Sequence, residues 1–174
     1  MGLFAWLSRR VPGLPRAGDE LPRADSSLHE PGPQTRFGMR PGAMVAGLDF
    51  FQAIEMQRRW KLRLAAYARG EARQTKAWRD ISRDDQCDLG RWLRQAARQQ
   101  PDHAEVLARL LKQHAALHRA AAEVVRLADG GQRDAALQAL RQGAFAHASH
   151  ATVAGLSELF TGLNATSGDA AARH

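Results

Sequence analysis

One thiol and two imidazoles in this chain have the types and spacing to do metal chemistry. Cys87 is the only cysteine among 174 residues, and it opens the run Cys-Asp-Leu-Gly-Arg-Trp that ends at Trp92. His114 and His118 stand one helical turn apart, so on a helix they share a face. Thiolate sulfur and imidazole nitrogen are donors that suit zinc. Each position also has a plainer reading. A cysteine without a partner is commonly a small buried hydrophobe, and a histidine on an apolar face can be satisfied by hydrogen bonds in the core. Burying two imidazoles together nevertheless costs desolvation unless partners are supplied, and a metal supplies them directly.

The elements that must position these residues read as helices. Asp49-Phe-Phe-Gln52 has the form of a capping box. Phe50, Ile54, Gln57, Trp60 (or Lys61), Leu64 and Tyr67 then recur at helical spacing until Gly70 stops the run. A second helix is expected from about Ser82 to Gln99. It would carry Cys87 about two turns from its start, with Gly90 admitting a neighbouring helix and Trp92 covering the site. Pro101 and Asp102 open a third, whose buried stripe holds Leu107, Leu110, Leu111, His114, Leu117, His118, Ala121 and Val125 before Gly130 and Gly131 end it. A fourth is expected from Gln132 to Leu163. No segment alternates with period two, so no strand is expected. The fold class this implies is all-α, a four-helix bundle over residues 49–163.

Flanking segments read as tails. Six of the seven prolines fall in residues 11–43, among Gly, Ser and charges, and residues 1–48 are expected to form a disordered tail. Within it, Leu3, Phe4, Trp6 and Leu7 before Arg9 and Arg10 have the pattern of a short interfacial helix or of a sticky chain start. Residues 164–174 are expected to form a second disordered tail.

Composition narrows the function classes. The length suits one domain with a real core. A lone cysteine excludes an intramolecular disulfide and fits a reducing compartment. No apolar run approaches the ~20 residues of a spanning helix, and Arg9 and Arg10 follow the N-terminal apolar stretch where a secretory signal would have them precede it, so a cytoplasmic protein is expected. The net charge is +7, and all but three of the 25 basic residues are Arg. That surplus is spread along the chain and alternates with the apolar stripes, which disfavours a nucleic-acid partner.

The segments Trp60-Lys-Leu-Arg-Leu64, Gln86-Cys-Asp-Leu-Gly-Arg-Trp92 and His114-x-x-x-His118 resemble the chemoreceptor zinc-binding (CZB) domain, over about residues 49–163. The resemblance implies zinc held inside a four-helix bundle by a histidine three residues before the first Trp, a cysteine and a histidine pair. Three of those positions carry over as Cys87, His114 and His118. The fourth does not, because Gln57 stands there, and an amide oxygen is a harder, weaker zinc ligand than imidazole. Glu55 points to roughly the opposite side of its helix and is no easy substitute. His147 and His150 are candidates to fill the gap, or else surface or core residues.

Domains of this kind regulate bacterial chemoreceptors and diguanylate cyclases through zinc occupancy and, in some cases, cysteine oxidation, and they tend to be homodimers. With no room for either output domain, the chain is expected to be a free-standing module acting through such a signalling partner. The reading that follows is a non-enzymatic zinc sensor using Cys87, His114 and His118, with Gln57 or water fourth. The alternative is an interaction bundle that has lost its metal, its histidines and Gln57 hydrogen-bonded in the core. Three protein ligands plus water also resembles a catalytic zinc site, but no buried carboxylate stands ready as a general base.

Overall fold

The computed structural model describes residues 38–73 and 76–171. The expectations for residues 1–37, including the apolar stretch at Leu3 to Leu7, lie outside the described residues. In chain order the elements are β1 (Met44–Val45), β2 (Leu48–Asp49), α1 (Phe50–Arg69), α2 (Trp78–Ile81), a 3-10 turn (Asp84–Gln86), α3 (Asp88–Gln99), a second 3-10 turn (Pro101–His103), α4 (Ala104–Asp129), α5 (Arg133–Arg141) and α6 (Ala144–Ala171). The long helices α1, α3, α4 and α6 form a four-helix bundle, and α4 touches every other α-helix.

The start of α1 follows from Asp49, whose carboxylate accepts from Gln52 N at 2.9 Å and from Gly42 N at 2.8 Å. It thereby caps the helix and closes the preceding turn. Gly70 ends α1 in the left-handed region (φ 81°), and Glu71 N reaches back to Ala66 O at 2.9 Å, the hydrogen-bond pattern of a glycine-terminated helix.

Three expectations need correction. A small antiparallel hairpin precedes α1, pairing Met44 with Asp49 and Val45 with Leu48. Two residues per strand are too few to show an alternating pattern, and the turn is made by Ala46 and Gly47, both at positive φ. The expected second helix starts late: α2 ends at Ile81, before the expected start at Ser82, and Cys87 is extended (φ −84°, ψ 138°) as the N-cap of α3, which begins only at Asp88. Ser82, Asp84 and Asp85 compete with helix by bonding locally, as Ser82 Oγ does to Arg79 O at 2.7 Å. The fourth helix is two, because the chain turns at Gln142 and Gly143, and Gly143 packs against Ala139 so closely that a Cβ would lie 2.8 Å from its Cα. Helix α6 then runs to Ala171, past Leu163.

The core divides into two apolar clusters. One contains Trp60, Leu64, Ile81, Leu117, Val124, Leu140 and Phe145. The other contains Phe50, Leu89, Leu93, Leu107, Leu110, Leu156 and Leu159, with Cys87 at its margin and Met39 also buried in it. Along α1 the change from one cluster to the other falls at Gln57, and along α4 it falls at His114. A buried polar layer therefore crosses the middle of the bundle.

Candidate metal centre

Cys87, His114 and His118 converge in that layer. Each offers a ligand atom within 4.8 Å of the other two, and all three residues are buried. The two imidazoles sit edge to face with centroids 4.7 Å apart, and Trp60 lies 5.1 Å from the His118 ring. Trp92 packs against the apolar cluster that contains Cys87. Its indole meets Phe50 edge-on and donates to Ala46 O at 3.0 Å, so it ties down the hairpin.

The hydrogen bonding of the donor set fits a metal. His118 Nδ1 lies 2.7 Å from Ile81 O and can only donate to it, which leaves Nε2 unprotonated, buried and without a partner. Neither ring nitrogen of His114 has a partner, and both amide atoms of Gln57 are likewise buried and unsatisfied. Each such orphan costs about 1–3 kcal/mol. A backbone carbonyl fixing one ring nitrogen while the other is free is the arrangement that orients metal-binding imidazoles. Tetrahedral zinc bonds of about 2.0–2.3 Å place ligands roughly 3.5 Å apart, so a contraction of about 1 Å would close the set around an ion.

Electrostatics keep the imidazoles neutral. Burial, then the neighbouring His118 and Arg94, push His114 down to about 3. Burial lowers His118 as well, opposed by its bond to the Ile81 carbonyl. Burial pushes the Cys87 thiol up, while the backbone N–H groups of Gly90 and Leu89 at the start of α3 pull it back. A metal would take Cys87 as thiolate and release its proton.

The other candidates go elsewhere. Glu55 pairs with Arg58 at 2.9 Å, and His147 and His150 are exposed on α6. Among the described residues no further histidine, cysteine or carboxylate joins the group. Gln57 is buried on the stripe expected for it, and it also lines a groove between α1 and α6 with Ile54, Lys61, His150 and Val153. One contributor left no signal in the spacing, and another was expected with a different partner. The Ile81 carbonyl is a backbone group and leaves no trace in residue type. Gly90 admits not a neighbouring helix but the backbone of Asp84, whose carbonyl oxygen would lie 2.1 Å from any Cβ added there.

Residues 57–125 match the family model described as the chemoreceptor zinc-binding domain. That segment starts at Gln57, holds all three of Cys87, His114 and His118, and is similar to this zinc-binding family. Neither the curated proteins nor the solved structures compared with the chain gave a match. No helix among the described residues is long and apolar enough to cross a membrane.

Proposed function

We propose that this protein is a zinc-binding regulatory module that holds the ion through Cys87, His114 and His118, with Gln57 or a water molecule in the fourth position. The observation that carries the reading is the set of unsatisfied nitrogens on two buried histidines beside a buried cysteine. A bundle that had repacked around hydrogen bonds would have paired them.

Zinc occupancy, or oxidation of Cys87, changes the packing of the polar layer and with it a contact to a signalling partner such as a bacterial chemoreceptor or diguanylate cyclase. The module works in the cytoplasm as a homodimer and catalyses no reaction. When bound, zinc supplies a structural crosslink between α4 and the segment that leads into α3. Three residues would hold it: His114 and His118 as neutral donors and Cys87 as the anion.

The test is metal content of untagged protein. Wild type is expected to carry one zinc per chain. Cys87→Ala is expected to lose more affinity than His114→Ala or His118→Ala, because it removes the only anionic donor. Equal zinc content in wild type and Cys87→Ala would overturn the site. Hypochlorous acid is expected to release zinc while modifying Cys87, seen with a chromogenic chelator and mass spectrometry. Release with Cys87 still reduced would remove the oxidant-sensing part of the reading.

A further inference from the structure

Arg94 lies outside the donor set, yet its guanidinium closes a loop around Cys87. Nη1 donates to Gly90 O at 2.9 Å, and Nη2 donates to Asp84 Oδ2 at 2.6 Å. Asp84 in turn accepts Cys87 N on its own carbonyl at 3.2 Å, and that carbonyl packs against the Cα of Gly90. Residues 84 to 90 are thus gathered by one side chain, with Cys87 in their midst. Three residues before this loop, Ile81 O holds the His118 ring. A single short segment therefore sets both the sulfur and the orientation of one imidazole.

We propose that Arg94, working through Asp84 and Gly90, is a positioning residue for the metal centre: it holds the Cys87 sulfur within reach of His114 and His118. This rests on the metal reading above. The opposing effect is electrostatic, since a guanidinium near two ligands repels a dication. Arg94 is paired with the carboxylate of Asp84, which is only 18% exposed, so most of that repulsion is offset locally. Geometry should therefore outweigh charge. Lysine is not equivalent, because an ammonium lacks the planar fork that reaches both acceptors.

Cobalt(II) titration of the full chain tests this, since thiolate ligation gives a near-ultraviolet charge-transfer band that a general loss of stability does not mimic. Arg94→Ala, checked for helix content by circular dichroism, is expected to bind cobalt at least about tenfold more weakly and with a diminished thiolate band. Arg94→Lys is expected to fall between it and wild type. Asp84→Asn keeps an oxygen acceptor for Nη2 and is expected to retain the band. Unchanged or tighter binding in Arg94→Ala would overturn the proposal. Should that variant fail to fold, Arg94→Lys decides: affinity and band equal to wild type would overturn it as well. If wild type itself shows no thiolate band, the metal reading fails. A normal band in wild type and in both Arg94 variants removes only the positioning role.

Discussion

Gln57 places an amide in the polar layer with neither its oxygen nor its nitrogen satisfied. Imidazole is a much better zinc donor than an amide oxygen. In the metal reading, Gln57→His is expected to tighten zinc binding by about tenfold, roughly 1.4 kcal/mol. Melting temperature in zinc should rise with it, because the ion binds only the folded state. Competition titration against a chelator, with melting curves in zinc and in chelator, checks both. A mutant that is less stable and binds no more tightly would favour the metal-free bundle. The histidines carry a second prediction, for protein stripped of metal. His114 is held down to about 3 in the folded state, against about 6.5 in the unfolded chain. Between those values the unfolded state binds the extra proton, so stability rises with pH. The contribution is complete above about pH 6.5 and is lost as pH falls toward 3, at up to about 1.4 kcal/mol per pH unit. Urea unfolding at pH 7, 5.5 and 4.5 should show the slope, and His114→Leu should flatten it.

The helical elements divide by how they are specified. Stripes such as Phe50 to Leu64 on α1 and Leu107 to Val125 on α4 bury a side chain every third or fourth residue, so periodicity alone places them, and His114 and His118 with them. The break before α3 was partly legible in Ser82, Asp84 and Asp85, whose side chains compete with helix, but the close backbone contacts at this break and at the one before α6 were not. Asp84 O against Gly90, and Ala139 against Gly143, need a missing Cβ at a particular distance, which no residue count supplies. The hairpin before α1 was hidden for a related reason: it is short, and it is anchored from a distance by Trp92. Of the candidate site, residue types pointed to the cluster of Cys87, His114 and His118, whereas the Ile81 carbonyl and the Arg94 loop emerge only once the chain is folded. Gly90→Ala tests this scale. With backbone 2.1 Å from the new Cβ, something must move, and overpacking of that kind costs about 1–3 kcal/mol or more. Chemical denaturation should show that loss, and zinc affinity should fall with it as Cys87 is displaced. A variant of wild-type stability and affinity would mean that the close approach is not needed.

At the scale of the whole molecule, Gln57, His114 and His118 separate two apolar clusters that would otherwise be one continuous core. The cost of this layer should be visible as soon as it is removed. The triple variant Gln57→Leu, His114→Leu, His118→Leu relieves several unsatisfied groups at about 1–3 kcal/mol each. It is expected to melt at least about 5 °C above metal-free wild type, with no response to added zinc. A variant that melts lower would mean that the layer is already satisfied in solution. The consequence is a conflict between durability and responsiveness. Selection for a tougher bundle, in the laboratory or in a hotter host, is expected to reach these three positions early, because few other buried sites have as much free energy to release. In the metal reading, each such gain would remove a donor for the ion. Lineages that kept the layer would be those in which the signal mattered more than the melting point.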